Sequence, residues 1–549
     1  FGDGLRVDLY VNDITFQRML DAIDTFEDAG GRLGELRDVV VGLRDPAPPW
    51  ETDIPEWNNE QLNESQREAV RRAVGADDIF LIHGPPGTGK TTTAIEVIQQ
   101  CIDAGESVLA TAASNTAVDN MVEFLVDQGV DAVRVRHPSR LTPALRRHTL
   151  DAWLENDRDY HRAMELRDKA FDMKDRQEDE GTYPSGRWRR GMSNDKILSL
   201  DEEGNGSRGV SPDKIHEMAT WIELEEQIDS YFDEADRLRE KAIESVLNSA
   251  DVVCTTNSTA GGDLLEDREF DVLVIDEATQ ATEPSCLIPM THADRVVMAG
   301  DHRQLPPTVL SEQAASGGLQ ISLFEKLADR DVDDEIRSML SVQYRMHENI
   351  MHFSSRRFYD GNLQADEGVA DHTLAGLGVE TGRESDGELA TILDVDEPLV
   401  FVDTRHIDAR ERSREGSQSR ENPEEADMVV RLAETYLSKG VEPSQVAIIS
   451  PYWDQVDLIR DRAPEADGLE IDTVDGFQGR EKEIVLLSLC RSNEHGEVGF
   501  LSDTRRFNVA LTRARRKAIV VGDGETVSTL DVFRDFTDYA ETDGRRVVL

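Results

Sequence analysis

One short segment restricts the fold of this chain more than any other. Ile79-Phe-Leu-Ile-His83 is an apolar run of strand length. It leads into Gly84-Pro-Pro-Gly-Thr-Gly-Lys90-Thr91 and then into a helical pattern that reaches about Ile102. Strand, GxxxxGK[ST] and helix in this order form the context of a phosphate-binding loop. The segment therefore predicts an α/β domain with a parallel sheet, and a chance glycine-rich turn is the weaker alternative.

The same segment supplies groups suited to a nucleotide. Backbone N–H groups of such a loop and the N-terminus of the following helix attract phosphate oxygens. Lys90 would place its charge on the β- and γ-phosphates, and Lys90 is also predicted to act in catalysis. We predict ATP as the bound nucleotide. Its predicted contacts in the loop are Gly84, Pro85, Pro86, Gly87, Thr88, Gly89, Lys90, Thr91 and Thr92.

A second apolar run ends in two adjacent carboxylates. Phe270-Asp-Val-Leu-Val-Ile-Asp276-Glu277 is typical of a buried strand with acidic groups at its end. We predict that Asp276 and the Thr91 hydroxyl bind Mg²⁺, and that Glu277 polarises the attacking water. ATP and Mg²⁺ are thus the predicted cofactors.

Alternating strand and helix patterns divide the chain into two α/β domains. We predict the first at 51–145 with 249–320, and the second at 321–549. A charged, helical insertion at 146–248 interrupts the first domain, and its Gly/Ser/Pro-rich middle indicates a flexible stretch. Residues 1–50 hold an alternating stretch and an amphipathic helical pattern from Thr15 to Phe26. The stretch 363–397 matches no pattern that we can interpret.

The charge of the chain argues at first against a nucleic-acid partner. The formal net charge is −51, whereas nucleic-acid binders usually carry a basic surface. Only ten of the 60 basic residues are lysine, and the acidic residues are spread along the whole chain. This composition predicts adaptation to very high salt, as in proteins of halophilic archaea. At about 1 M salt the Debye length is about 3 Å, which screens repulsion from phosphate. The alternative is an acidic protein that avoids nucleic acid.

Cysteine usage and hydropathy exclude several classes of protein. The four cysteines are scattered without a CxxC pair, which argues against zinc, iron–sulfur and disulfide sites and favours a reducing cytoplasm. No apolar run approaches the ~18 residues of a membrane span, so we expect no membrane partner. Because the chain starts at Phe1 without a basic and apolar leader, we expect no signal peptide and a chain entered partway through a domain.

Five further motifs occur in a fixed order. They are Asp276-Glu-Ala-Thr-Gln-Ala-Thr-Glu-Pro284, Gly300-Asp-His-Arg-Gln-Leu-Pro-Pro307, Gln343-Tyr-Arg-Met-His347, Asp475-Gly-Phe-Gln-Gly-Arg-Glu-Lys482 and Arg506-Phe-Asn-Val-Ala-Leu-Thr-Arg-Ala-Arg515. This set resembles the motifs of superfamily 1 helicases, in the group (1B) that contains the nonsense-mediated-decay RNA helicase, senataxin and the Okazaki-fragment nuclease-helicase. The resemblance covers about 57–525 apart from the insertion.

The resemblance implies a fold and an activity. We expect two RecA-like P-loop domains, with 1–50 as the end of an accessory β-barrel and its stalk helix. The expected activity is an ATP-driven motor, a monomer that moves 5′ to 3′ on single-stranded nucleic acid and unwinds duplexes. Nothing in the sequence separates DNA from RNA. Two alternatives remain open: a nucleoprotein remodeller that separates no duplex, and an ATPase switch whose partner is a protein.

Two arginines of the second domain are predicted to complete the catalytic site. The planar guanidinium groups of Arg345 and Arg513 suit the charge that spreads over the phosphoryl group during transfer. They can reach it only if ATP lies between the two domains. The resemblance further implies that Gln304 senses the γ-phosphate, that Gln66 selects adenine, that Tyr344 stacks on the base and that Glu481 contacts the ribose.

The predicted nucleic-acid contacts are small polar groups that follow strands. Ligands of open α/β sheets bind at the carboxyl ends of the strands, and hydroxyl groups there can contact phosphates. An ordinary role as strand-end caps is the alternative for each of them. In the insertion, the basic and aromatic Gly186-Arg-Trp-Arg-Arg-Gly191 suits stacking and phosphate contact, and a solvated loop is its alternative. The predicted contacts are Ser114, Asn115, Val118, Thr255, Thr256, Pro451, Tyr452, Thr473, Arg187 and Trp188.

Overall fold

The computed structural model describes residues 13–135, 145–331, 333–379 and 388–549. These residues form two compact units. One unit holds the described residues of Phe1–Val118 together with Thr256–Leu549, and the other is formed by Asp119–Thr255. Both predicted α/β domains have most of their strands in the first unit, and the predicted insertion at 146–248 falls inside the second.

The first sheet of the first unit contains the strand that precedes the phosphate loop. Its strands are parallel and nearly all their residues are buried, as in sheets that are covered by helices on both faces. In spatial order they are Val108–Ala112, Phe270–Asp276, Ala293–Gly300, Ile79–His83 and Arg337–Met339. Because Arg337–Met339 pairs with Ile79–His83, this sheet extends past the predicted domain boundary at 320.

The second sheet is also parallel, which confirms the predicted α/β class. Its six strands run in the order Glu470–Thr473, Val446–Ser450, Lys482–Ser488, Ala514–Gly522, Leu399–Asp403 and Arg545–Val548. In the strand Leu399–Asp403, alternate side chains face two different hydrophobic cores. Phe401 packs with Phe353, Phe507, Phe533 and Phe536, whereas Val400 and Val402 pack with Tyr436 and Ile448.

Helices connect these strands. In the first unit the helices of seven or more residues are Asp13–Glu27, Gly31–Val40, Glu64–Val74, Lys90–Asp103, Glu283–Met290, Leu323–Arg330, Glu348–Phe358, Pro423–Ser438, Trp453–Arg462, Arg505–Leu511 and Asp531–Thr542. The helix Asn115–Asp127 crosses from the first unit into the second. None of the helices in the described ranges combines the length and the apolar character that a bilayer crossing requires.

The N-terminal helix matches the amphipathic pattern found in the sequence. Asp13–Glu27 buries Ala22 and Phe26 and packs against Glu283–Met290. The predicted end of the accessory barrel precedes this helix and lies outside the described residues. In the uninterpreted stretch 363–397 the structure has the strand Gln364–Ala365, the 3₁₀ turn Leu374–Leu377 and the helix Glu388–Ile392.

The second unit is built on two long helices. Arg158–Glu180 packs antiparallel against Pro212–Ser249, with Ala163 and Leu166 against Ala235 and Leu238. Short helices at Leu150–Leu154, Gly186–Arg189 and Asn194–Glu202 accompany them, and the strands Ala132–Arg134 and Val252–Thr256 pair in parallel. The middle that composition indicated as flexible thus contains two helices. The reason is a small core in which Met192, Ile197 and Leu200 pack with Ile215 and Met218.

Candidate active site

The phosphate loop has a backbone that only glycine adopts freely. Gly87 and Gly89 have φ angles of 77° and 75°. A Cβ atom on Gly89 would lie 2.6 Å from Nε2 of Gln66, and one on Gly84 would lie 2.7 Å from Cβ of Lys90. The helix Lys90–Asp103 starts directly after the loop, so its N-terminus points at the space that the loop encloses.

Two pairs of side chains join this loop to the carboxyl end of Phe270–Asp276. Nζ of Lys90 lies 2.9 Å from Oε2 of Glu277, and the Thr91 hydroxyl donates to Oδ2 of Asp276 at 2.9 Å. Glu277 has a left-handed backbone, with φ of 51°, which is uncommon for a residue with a side chain. Such strained conformations persist where the surroundings impose them, often at functional sites. The predicted catalytic and metal residues are therefore neighbours in space.

The electrostatics of these carboxylates fit a cation. Burial and the adjacent Glu277 raise the pKa of Asp276, because two negative groups are crowded together away from water. Burial would also raise the pKa of Glu277, but the charge of Lys90 outweighs it and lowers that pKa. The Thr91 hydroxyl and the Asp276 carboxylate are hard oxygen ligands of the kind that Mg²⁺ takes. The donor set therefore fits the predicted metal.

Arg345 lies beside the loop, and Arg513 lies beside Gln304. A Cβ atom on Gly87 would meet Cβ of Arg345 at 2.7 Å, so the Arg345 backbone is in contact with the loop. The Arg345 guanidinium pairs with Glu481 and donates to the Thr512 carbonyl oxygen at 3.2 Å. Arg513 is buried, and its Nη2 donates to Oε1 of Gln304 at 3.4 Å. Burial and the like charge of Arg345 lower the pKa of Arg513.

Asp301 joins Gln304 to a second set of buried groups. Its Oδ1 accepts hydrogen bonds from Nε2 of His83 at 3.0 Å and from the Arg303 amide at 3.0 Å. Its Oδ2 accepts from Nε2 of Gln304 at 2.6 Å and from the Tyr359 hydroxyl at 2.8 Å. His83, Asp301 and His302 are close enough to hold a metal ion. With four donors already on the Asp301 carboxylate, the hydrogen-bonded arrangement accounts for the cluster.

The predicted adenine contacts lie at the other end of the loop. Gln66 is buried, and its amide accepts from the Asn63 backbone amide at 2.9 Å and donates to the Thr88 carbonyl oxygen at 3.0 Å. Tyr344 is 39% exposed, and its hydroxyl accepts from Nδ2 of Asn63 at 2.8 Å. The Tyr344 ring is thus available beside the loop, whereas both heteroatoms of the Gln66 amide are engaged by backbone. Glu481, the predicted ribose contact, pairs with Arg345.

Six of the ten predicted nucleic-acid residues fall into two groups. Ser114 and Asn115 are exposed after the strand Val108–Ala112, and Ser114 accepts the Ala117 amide. Pro451 is partly buried, and Thr473 accepts the Gly476 amide at 3.1 Å. Val118 and Tyr452 are buried, and the Tyr452 hydroxyl donates to the Val498 carbonyl oxygen and accepts from Arg491 and from the Phe500 amide. The side chains of Val118 and Tyr452 therefore serve packing.

The two threonines that end the strand Val252–Thr256 behave as caps. The Thr255 hydroxyl is buried and donates to the Val135 carbonyl oxygen at 3.0 Å. The Thr256 hydroxyl caps the short helix Asn257–Ala260 through the Thr259 amide. They are the last two residues of this strand instead of following it as predicted, and their hydroxyl groups are used within the protein.

In the second unit, the Trp188 side chain packs against its neighbours. Its ring packs against the core of Met192, Ile197 and their neighbours, and is partly buried. The Arg187 guanidinium lies 4.7 Å and the Lys214 ammonium 5.0 Å from the ring centroid. Arg187 is exposed, so of this predicted pair the arginine is the more accessible side chain.

The sequence patterns missed several residues of the site. His83, Asp301 and Asn508 lie inside the sequence motifs described above, but no role was predicted for any of them. Tyr359 lies outside every motif, and nothing in the sequence around it indicates the Asp301 contact. Its position beside Asp301 follows from the packing of the second domain, which the sequence alone does not reveal.

Comparison with known proteins identifies relatives of the chain. Two family profiles, each described as an AAA domain, match residues 61–312 and 319–525. An uncharacterized ATP-dependent helicase of Methanocaldococcus jannaschii is 40% identical over 99% of this chain and 79% of its own length. DNA-binding protein SMUBP-2 of Mus musculus is 38% identical and helicase sen1 of Schizosaccharomyces pombe 31% identical, over 96% and 87% of this chain.

These relatives are longer than the chain, which matches only part of each of them. The match covers 49% of SMUBP-2 and 30% of helicase sen1. Among solved structures, the Arterivirus nonstructural protein 10 helicase aligns with 84% of this chain at 12% identity, with a TM-score of 0.36. The resemblance found in the sequence is confirmed by the relatives rather than by this structural alignment.

Proposed function

The chain belongs to superfamily 1B of the ATP-dependent helicases, and on this premise we propose that it hydrolyses ATP between its two α/β domains to move along single-stranded nucleic acid. One observation carries the proposal. Arg345 and Arg513, both from the second domain, lie beside the phosphate loop and Gln304 of the first domain. A nucleotide held by the loop would therefore contact both domains, and its hydrolysis would change the contact between them.

Each residue of the site has a chemical task in this proposal. Lys90 binds the β- and γ-phosphates, and Glu277 takes a proton from the attacking water. Arg345 and Arg513 stabilise the charge that develops on the transferred phosphoryl group. Thr91 and Asp276 would hold Mg²⁺, which neutralises phosphate charge when it is bound. Tyr344 stacks on the adenine, and Glu481 turns from Arg345 to the ribose.

The nucleic-acid track is proposed along the strand ends that carry Ser114, Asn115, Pro451 and Thr473. Hydroxyl and backbone groups there would contact phosphates without reading the sequence. SMUBP-2 is named a DNA-binding protein, which supports DNA as a track, and RNA stays open. We further propose 5′-to-3′ movement by a monomer in the cytoplasm, in line with the resemblance and the scattered cysteines.

The first experiment is ATP hydrolysis in molar KCl, with and without single-stranded DNA or RNA. Lys90→Ala serves as the blank, because it removes the phosphate-binding charge. We expect hydrolysis that either strand stimulates, and the stronger stimulator identifies the track. A strand-displacement assay with the same strands then tests for unwinding.

Other outcomes would change the proposal. Stimulation without displacement would indicate a nucleoprotein remodeller. Hydrolysis that is indifferent to both strands would contradict the motor and favour an ATPase switch with a protein partner, which the charge of −51 would suit. Absence of hydrolysis above the Lys90→Ala blank would contradict the nucleotide site itself.

A further inference from the structure

A buried chain of hydrogen bonds connects the phosphate-loop strand to the second domain. It begins at His83, the residue before the loop, passes through Asp301, and reaches Tyr359 at the end of the helix Glu348–Phe358. Nδ2 of Asn508 then donates to the Tyr359 hydroxyl at 2.9 Å. The exposed fractions of Asp301, Tyr359 and Asn508 are 1%, 2% and 0%. Water therefore does not compete for these bonds.

This chain of hydrogen bonds also determines how the Gln304 amide is oriented. Oδ2 of Asp301 is shared by the Tyr359 hydroxyl and Nε2 of Gln304. With Nε2 held in this way, Oε1 of Gln304 faces the Arg513 guanidinium. The amide of Gln304 is thus held at one end by a carboxylate that the second domain also contacts, and at the other end by an arginine of the second domain.

Asn508 also binds the segment that contains Asp301 and Gln304. Its Nδ2 also donates to the Arg303 carbonyl oxygen at 2.9 Å, one residue before Gln304. It lies on the helix Arg505–Leu511, which ends just before Arg513. The segment 301–304 is therefore held by the second domain at Asp301 and at Arg303.

We propose that Tyr359 and Asn508 are positioning residues, which orient Gln304 through Asp301 and Arg303 for catalysis at the γ-phosphate. The proposal rests on the proposed function and on the γ-phosphate role that the family resemblance implies for Gln304. Charge-assisted hydrogen bonds to a buried carboxylate are stronger and more directional than neutral ones. Loss of the phenolic hydroxyl would leave the Asp301 carboxylate with one donor fewer, so that it could rotate and move the Gln304 amide that it holds. Burial and Asp301 raise the pKa of Tyr359, so its hydroxyl remains a donor.

The test compares two variants that each lose one buried phenolic oxygen. Tyr359→Phe removes the hydroxyl that contacts Asp301. Tyr436→Phe is the matched control, because Tyr436 is buried in the second domain and its hydroxyl has no hydrogen-bond partner among the residues that the structure describes. We expect Tyr359→Phe to lower kcat for ATP about tenfold, with KM for ATP nearly unchanged. The rate is expressed per site that binds a fluorescent ATP analogue, so unfolded protein does not count.

A double-mutant cycle separates positioning from mere packing. If Tyr359 acts through Gln304, then Tyr359→Phe lowers kcat in the wild-type background but not in a Gln304→Ala background. Asn508→Ala is expected to behave as Tyr359→Phe does. Equal rates for Tyr359→Phe and Tyr436→Phe would overturn the proposal, and so would an equal loss in both backgrounds. If strands fail to stimulate the wild type, the proposed motor is contradicted, yet the cycle on basal hydrolysis still decides the role of Tyr359.

Discussion

Nζ of Lys90 lies 2.9 Å from Oε2 of Glu277, so the phosphate-binding cation and the proposed general base are paired with each other. Gln280 also donates to Oε2 of Glu277, at 3.0 Å. A γ-phosphate that draws Lys90 toward itself would weaken this ion pair and leave the carboxylate facing the attacking water. The pair therefore links the binding of the substrate to the activation of the base.

The first prediction concerns this carboxylate. Glu277→Gln keeps the size and the contact with Gln280 but removes the base, so kcat should fall about 10²- to 10⁴-fold. ATP binding should persist, because Lys90 and the loop are intact. Steady-state hydrolysis and titration with a fluorescent ATP analogue measure the two quantities. Glu283→Gln is the control: Glu283 also pairs with a lysine, Lys326, but outside the site. A similar kcat for both variants would contradict the assignment.

The second prediction concerns the geometry of the charge that the second domain supplies. Arg513→Lys keeps a cation but loses the planar fork, so kcat should fall about 10³-fold or more if Arg513 contacts the transferred phosphoryl group. Single-turnover hydrolysis measures this step. Arg516→Lys is the control, since Arg516 lies three residues away and pairs with Glu483 at 2.7 Å. Full activity of Arg513→Lys would show that a point charge suffices and that no bidentate contact forms.

The sequence predicted well those parts of the site that depend on local pattern. The phosphate loop and the carboxylates at 276 and 277 follow buried strands, and parallel strands bring their carboxyl ends to one edge of a sheet. The contact between Thr91 and Asp276 follows from this topology. The family motifs then indicated which side chains of the second domain to expect beside the loop.

Side-chain direction and long-range packing were harder to predict. Val118 and Tyr452 follow strands as predicted, but the packing of the helices after those strands turns both side chains into the core. The contact between Tyr359 and Asp301 joins residues 58 positions apart and depends on how a helix end meets a loop. No periodicity encodes such a contact.

The third prediction uses a buried carboxyl group away from the nucleotide. Glu425 is fully buried beside Ser488 and the Cys490 amide, and burial raises its pKa from 4.5 to about 8. Between these two pH values the folded chain keeps a proton that the unfolded chain has lost. The free energy of unfolding should therefore fall as pH rises from about 4.5 to about 8, by up to about 1.4 kcal/mol per pH unit.

Glu425→Gln should remove this contribution, because an amide does not titrate. Denaturant unfolding at several pH values would show a flatter profile for the variant than for the wild type. Glu424→Gln is the control, since the neighbouring Glu424 is exposed. If Glu424→Gln flattens the profile equally, or if Glu425→Gln leaves it unchanged, the pH dependence does not come from Glu425.

The last prediction tests whether the acidic composition is an adaptation to salt. With a net charge of −51, repulsion between carboxylates opposes folding at low salt. Raising KCl from about 0.1 M to about 1 M shortens the Debye length from about 10 Å to about 3 Å. Exposed ion pairs such as Arg176–Glu180 weaken under the same change, but each contributes little. The free energy of unfolding should therefore rise with KCl.

The long helix Pro212–Ser249 offers a local test of the same repulsion. Glu226, Asp229 and Asp233 are exposed and spaced three and four residues apart, so they repel each other along one face. Asp229→Lys converts two repulsive pairs into attractive ones, and should raise stability in low KCl while reducing its dependence on KCl. Asp229→Asn, which removes the charge without reversing it, should lie between the variant and the wild type. A wild type whose stability is constant or falls with KCl would contradict salt adaptation, because self-repulsion would then not limit folding.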